Sequence, residues 1–481
     1  MSIGATRLCV SKLSTARTVL FTLVLVACVT IPNWLKAQAG QSTTGSSQPG
    51  DLRPTYPGEP FNNPPVETTV GPVKLRLYGT ILLNLSFSDS PEVGEDVPIW
   101  PSPAPTVTLA NGTSKTASSI HDTIFTLRQS VLGFVLNPAN APANGWTPSA
   151  EVEFDFFGNT PIDADLSEDR VLNQPRLRKA FFRLRKGNFD LVAGQDNIVI
   201  SPLDPVSLSH VAIPLGYSAG DLFGWLPQVR VDYNHSFGKT GALFQFGVLR
   251  PAFGDPRLGD QPTAGLTLQQ ASPGFGERSG QPFYQARLAL SHPMQNSAAI
   301  IGVGAHYGEE LVGGTPQNVN SWAVTMDFRI PVLSRLVFRG EAYTGSNLVP
   351  FGGGILQGVS ALSTAAGNPG AGAPFSLIRK IGDTGGWAEL TILASRRNVF
   401  YLGASSDDPV HKDLLPGTTR ERNSVFWASY FRKLTNEISV AAEWSNWAFH
   451  TTGFAPVTNA PDGRGAFGRG NVANIAFAYQ F

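Results

Sequence analysis

From Val73 onward, apolar and polar side chains alternate with a period of two. Val73, Leu75, Leu77, Ile81, Leu83, Leu85 and Phe87 share one face with Gly79. Lys74, Arg76, Tyr78, Thr80, Asn84 and Ser86 share the other, with one Leu82 among them. Side chains of an extended chain point alternately to opposite sides, so this is a strand with one greasy and one wet face. It is too long for an average soluble strand and suits a tilted strand that crosses a bilayer. Val152, Phe154 and Phe156 oppose Glu151, Glu153 and Asp155 in the same way. Val229, Val231 and Tyr233 oppose Arg230 and Asp232, and Trp322, Val324, Met326 and Phe328 oppose Thr325, Asp327 and Arg329. The chain closes on Ile475, Phe477, Tyr479 and Phe481 against Asn474, Ala476, Ala478 and Gln480.

About sixteen such segments recur, beginning near Val73, Thr123, Glu151, Arg176, Phe189, Gln228, Ala242, Phe283, Ser297, Trp322, Leu336, Trp387, Asn398, Asn423, Ile438 and Asn471. Short links such as Lys186-Gly187-Asn188 alternate with long ones at 88–121, 158–175, 198–224, 251–282, 308–319, 345–384, 405–421 and 448–469. Eight long links, seven short ones and both chain ends on the short-link side predict an all-β fold. It is an up-and-down antiparallel barrel with short periplasmic turns and long extracellular loops. In a bilayer every backbone amide must be paired, so the sheet must close. The Phe and Trp of sixteen strands exceed what a soluble barrel interior holds, so the greasy face is assigned to lipid and the wet face to the lumen. A secreted sandwich or propeller is the rival architecture.

Ahead of the alternation stands an export signal at 1–39. Arg7, Lys12 and Arg17 precede the apolar run Val19–Ile31, then Ala37-Gln38-Ala39. Cleavage after Ala39 removes both cysteines, Cys9 and Cys28; lipidation at Cys28 is the alternative. Residues 40–72 are rich in Pro, Gly and Ser and read as a flexible lead-in to a barrel over 73–481. Composition removes other classes. The 36 basic and 36 acidic residues cancel, and no basic run appears, which argues against nucleic acid. Beyond the signal, no stretch is long and apolar enough for a spanning helix. HExxH, CxxC and GxSxG patterns are absent, and His235 and His306 have no evident Ser or Asp partner, so neither an enzyme, a metal nor a cofactor is expected. Asp163, Asp165, Glu168 and Asp169 read as a solvated acidic loop.

The wet faces supply the candidate pore lining. These are Lys74 and Arg76 on the first strand, Arg128 on the second, Glu151, Glu153 and Asp155 on the third, then Lys179, Arg183, Arg230, Asp232 and Arg287. Neighbouring strands lie about 5 Å apart, so an acidic third strand between basic neighbours either sets up a transverse field that orients solutes or pairs off its ions and holds the wall rigid. On the fourth strand, Ala180, Phe182 and Leu184 point to lipid, which turns Lys179 and Arg183 inward and leaves Arg176 and Arg178 outward. The third long link, Ile198–Gly224, is moderately apolar and carries Asp204, His210 and Asp221. It is expected either to fold inward and narrow the lumen or to rest outside on its neighbours.

Leu127-Arg128-Gln129-Ser130 with Gly133-Phe134, Glu153-Phe154-Asp155-Phe156-Phe157-Gly158, Pro175-Arg176-Leu177-Arg178-Lys179-Ala180-Phe181 and Gly194-Gln195 resemble the DcaP-like porins of Gram-negative outer membranes. The match covers about residues 120–200; beyond it only architecture agrees. The resemblance implies a sixteen-stranded trimeric channel for dicarboxylates and related anions, with Arg128, Lys179 and Arg178 as the cationic wall. Some members carry a coiled coil before the barrel; the Pro/Gly-rich 40–72 departs from that and weakens the trimer expectation. The partners expected are small polar or anionic solutes, the lipid bilayer, a homotrimer and the outer-membrane assembly machinery, which reads a terminal signal like Phe477, Tyr479 and Phe481. A surface-interaction barrel without significant transport is the alternative function.

Overall fold

The computed structural model describes residues 66–94, 96–101, 106–108, 112–116, 121–140, 145–158, 174–253, 274–312, 318–363, 375–415, 419–452 and 467–481. The export signal, most of the 40–72 lead-in and the acidic run 163–169 lie outside the described residues.

Sixteen antiparallel staves form one closed sheet. In chain order they are β1 (Val73–Ser88), β2 (Asp122–Thr126 and Val131–Pro138), β3 (Thr147–Gly158), β4 (Gln174–Lys186), β5 (Phe189–Asn197), β6 (Trp225–Phe237), β7 (Thr240–Leu249) and β8 (Phe283–Met294). Then come β9 (Ser297–Leu311), β10 (Asn318–Leu333), β11 (Leu336–Ser346), β12 (Gly382–Leu393), β13 (Asn398–Asp407), β14 (Arg420–Lys433), β15 (Ile438–Thr451) and β16 (Phe467–Gln480). Each pairs with the next, and β16 returns to β1 with Gln480 opposite Thr80 and Val472 opposite Ser88. Closure leaves no open edge in the wall, which is what a spanning sheet requires.

Facing follows the alternation. Ile81, Phe125, Phe182, Val229, Leu288, Val324, Phe426 and Phe477 are exposed on the outside, and their neighbours in sequence are buried inside. A continuous apolar belt of this kind exceeds any patch that a soluble monomer tolerates. No helix is long and apolar enough to cross a membrane among the described residues; the crossing is made by strands.

Three local features depart from simple alternation. Stave β2 is interrupted at Leu127–Ser130, where the Ser130 hydroxyl accepts the Leu82 N–H and bridges to β1. Stave β4 shifts register against β3 between Leu177 and Lys179. A β-bulge adds a residue and lets two successive side chains keep one facing. Leu177 therefore faces lipid while Arg176, Arg178 and Lys179 all face inward, which corrects the outward placement of Arg176 and Arg178. The third feature is the short strand Val66–Val70, which turns at Gly71 and pairs with β1 from Val73 to Leu77. It continues the seam below the end of β16, so wall structure begins inside the segment read as a lead-in. Five residues of Val-Glu-Thr-Thr-Val are too few for alternation to announce themselves.

Candidate functional site

The third long link runs inside the barrel and touches inward-facing residues around much of its circumference. Its first limb starts at β8, where the Val199 N–H donates to Gln285, and passes β10, where Thr325 donates to the Ile200 carbonyl. At β11 the Glu341 carboxylate accepts the Ser201 hydroxyl and, at 2.8 Å, the Leu203 N–H. At β12, Glu389 accepts the Val206 N–H at 3.1 Å. At β15, Glu443 accepts the Ser207 hydroxyl at 2.7 Å and lies 3.0 Å from His210 Nδ1. The Ser209 carbonyl then accepts from Asn84 on β1 and Gln129 on β2. At β4, Arg178 donates to the Val211 carbonyl at 3.2 Å.

The return limb lies against β12 and β13 closely enough to require glycine. A Cβ on Gly220 would stand 2.5 Å from the Ser406 carbonyl and 2.6 Å from that of Gly386. Its φ of +111° is also one that L side chains rarely adopt. A second inserted segment follows β11, and its Phe351 carbonyl accepts the Phe223 N–H at 3.0 Å.

Inward chemistry divides the wall into two arcs. On β11–β16 and β1, inward positions carry Trp387, Tyr401, Val425, Trp427, Phe431, Trp447 and Leu82. Leu203, Val206, Leu208, Leu215 and Ala219 of the third link are packed on them. This face is a hydrophobic core rather than a wet wall, which corrects the assignment of every inward position to water. Leu82, the misfit on the polar face of β1, sits in that core with no exposure.

On β3–β8 the inward face is ionic except at the long-link ends of β6–β8, where Leu226, Leu249 and Phe283 pack with Ile198, Ile200 and Leu222 of the link. Asp155 binds Arg176 at 2.6 Å, and Glu153 lies 3.2 Å from Arg178 and 3.3 Å from Lys179. Glu151 lies 3.4 Å from Lys179, and the Tyr78 hydroxyl donates to Glu151 and Glu153. Arg185 pairs with Asp190 at 2.7 Å, and Arg230 spans Asp196 at 3.0 Å and Asp232 at 2.9 Å. Arg287 holds Asp327 of β10 through two bonds of 2.7 and 2.8 Å. Arg183 faces the lumen with no carboxylate against it among the described residues; its guanidinium lies 5.8 Å from the Phe181 ring.

The remaining predicted positions are placed as follows. Arg128 pairs with Asp96 of the first long link and stacks on Phe157 at 4.3 Å. Lys74 and Arg76 are exposed at the short-turn mouth, where Lys74 pairs with Glu67 at 2.6 Å. Phe477 and Tyr479 face lipid, and the Phe481 backbone pairs with Gly79 in both directions. Asp204 projects from the third link into the lumen and is open to its water. The enclosing barrel pushes its carboxyl up to about 6, and Arg178, Arg339 and Lys179 pull the other way; access to water tempers the push. Asp221 is buried, and that burial lifts its carboxyl well above the ordinary range. The neighbouring Asp204 and Glu341 add to the lift.

The sequence reasoning missed Asp96, Asp190 and Asp196 as partners and missed the aromatic arc. For the aromatic arc a signal existed: Trp387, Tyr401, Trp427 and Trp447 all stand at the parity of polar neighbours. Asp190 and Asp196 stand at inward parity on β5 and were readable in the same way; for Asp96 of the first link no signal existed, because pairing across a long connection leaves no periodicity.

No protein-family model matches the chain, and no curated protein does. Solved structures match. The outer membrane channel DcaP of Acinetobacter baumannii is 13% identical, with a TM-score of 0.60 over 86% of this chain and 99% of that one. An anion-selective porin from Comamonas acidovorans is 12% identical, with a TM-score of 0.48 over 85% of this chain and 100% of that one. OmpT of Vibrio cholerae is 11% identical, with a TM-score of 0.46 over 86% and 100%. Identities this low speak for fold alone. What the DcaP structure shares with this chain is the fold, a closed antiparallel β-barrel.

Proposed function

We propose that the chain is a passive outer-membrane diffusion channel for small polar and anionic solutes, carboxylates among them. The observation that carries this reading is the seating of the third link. Its apolar side is spent on β11–β16 and, at the long-link ends of β6–β8, on Leu226, Leu249 and Phe283, which leaves the ionic stretch of β3–β8 as the lining of the passage. Arg178 and Lys179 of β4 and Arg339 of β11 act on Asp204 of the link, so charges of both signs border the passage in this reading. Most cations of the arc are matched by acids, so strong local dipoles coexist with little net charge. Such a lining suits polar solutes in general. Arg183, the cation without an acid, tips it toward anions. The homotrimer and the reading of Phe477, Tyr479 and Phe481 by assembly machinery belong to the same proposal, supported by the lipid-facing run on β16.

Planar-bilayer recording tests it. Purified barrel should conduct, with a reversal potential shifted toward anions under a salt gradient, and Arg183→Gln should move that potential toward zero. Conductance no greater than that of a protein-free bilayer would favour the surface-interaction barrel. For the constriction, Leu208→Asp places a charge in the apolar seam and should lift the link, raising single-channel conductance severalfold. Unchanged conductance would place the link elsewhere than at the narrowest point.

A further inference from the structure

The chain has no net charge, yet its short-turn rim is strongly basic. Lys239, Arg335, Arg396 and Arg397 stand in the short turns, and Lys186, Arg432 and Lys433 end the staves that lead into them. Among the described residues of that set, Glu437 is the one acid. Lys74 and Arg185 at the same rim are already neutralised by Glu67 and Asp190. The seven others face no carboxylate among the described residues, and all but the half-buried Lys433 are exposed. At the opposite rim acids stand among the cations: Arg250 pairs with Glu277 and Arg422 with Asp408, both on the outer surface, beside exposed Arg278, Lys412 and Arg469 that have no ion pair among the described residues.

The basic rim is also coupled to grease. Lys186 stands across from lipid-exposed Phe189, Lys239 lies between Phe237 and Thr240, Arg335 follows Val332 and Leu333, and Lys433 precedes Leu434. A cation whose neighbour dips into acyl chains sits at headgroup depth, with its stem in the interface and its charge toward phosphate. A soluble acidic partner or a cell-wall polymer would need cations directed away from the membrane, without that apolar companion at turn after turn.

We propose that this rim binds the phosphate headgroups of anionic phospholipids in the periplasmic leaflet. The binding is independent of whether the barrel conducts. One cation near an anionic surface contributes about a fivefold preference. Barrel folded in detergent is therefore offered equal phosphatidylglycerol and phosphatidylcholine, and native mass spectrometry counts what each retains. Wild type should hold phosphatidylglycerol at least about fivefold over phosphatidylcholine. The variant K239Q/R335Q/R396Q/R397Q should fall toward parity, and R422Q at the opposite rim should not. Free glycerol phosphate at matched concentration should leave the retained lipid in place. Should the quadruple variant fail to fold, raised salt on wild type must erase the preference. Equal retention by wild type, a preference that survives the substitutions or salt, or displacement by glycerol phosphate would each overturn the assignment. So would sedimentation with purified peptidoglycan that the quadruple variant loses, in the absence of lipid preference.

Discussion

The ionic arc of β3–β8 and the packed arc of β11–β16 share an outward face and differ inward. Phe182, Val229 and Leu288 on one, and Phe400, Phe426 and Trp444 on the other, meet lipid alike. Inward, the first carries Glu153, Lys179, Arg230 and Arg287, and the second Trp387, Tyr401, Trp427 and Trp447. Lipid is one uniform solvent and imposes one outward rule. The lumen imposes none: each inward position answers to whatever stands opposite, and opposite the packed arc stands an apolar link rather than water. Even so, the packed arc keeps carboxylates at Glu341, Glu389 and Glu443. They receive the link's backbone N–H and hydroxyl groups, which a purely apolar seam would strand.

The comparison breaks most easily at Trp427. It is fully buried at 0% exposure, next in sequence to lipid-facing Phe426 at 46%. Trp427→Ala should cost about 3–5 kcal/mol, because it removes a large side chain and leaves a cavity between stave and link. Phe426→Ala opens onto lipid that closes the gap, so it should cost under about 2 kcal/mol. Urea unfolding of vesicle-inserted barrel measures both. Equal losses would mean that the inner seam is not a packed core.

How far this was readable in advance depends on which solvent did the writing. All sixteen staves could be found because lipid repeats the same demand at every second residue; starts such as Phe189, Phe283, Ser297, Leu336, Asn398 and Ile438 coincide with the observed ones. The inner arcs were only half legible. The charges of β3 and β6 lie at inward parity in a plain strand, so Glu153, Asp155, Arg230 and Asp232 could be aimed correctly. Arg176 and Arg178 could not, because the β4 bulge resets parity and a bulge has no composition of its own. Leu82 and Tyr401 were visible as exceptions to wetness. Their meaning needed the third link, whose path depends on packing far apart in sequence, as in the cluster that holds both Leu208 and Phe431.

The ionic arc is sharpened by its most enclosed pair. Arg287 and Asp327 are both buried and doubly bonded. If protein rather than water surrounds them, Asp327→Ala strands a buried cation and should cost about 3 kcal/mol. Replacing both partners by apolar residues of similar size should then restore most of that loss. If lumen water reaches Arg287, the single variant should cost under about 1 kcal/mol, as exposed pairs do. The unfolding assay used for Trp427 distinguishes the two and maps how far water extends into this arc.

The smallest effect lies where the arcs meet, at Asp204. Its carboxyl is pushed up by the enclosing barrel to about 6 and opened to lumen water, so it titrates between the ordinary carboxyl range and about pH 6. Above that window the carboxylate offsets Arg178 and Lys179; below it the offset is gone and the cations act alone. Anion preference should therefore rise on acidification, by a few millivolts of reversal potential and not by a switch, since one charge among many changes. Asp204→Asn should hold the low-pH value across the range. A wild-type reversal potential that stays flat from pH 7 to pH 4 would show that Asp204 does not border the conducting path, and that the third link meets the ionic arc elsewhere along its first limb.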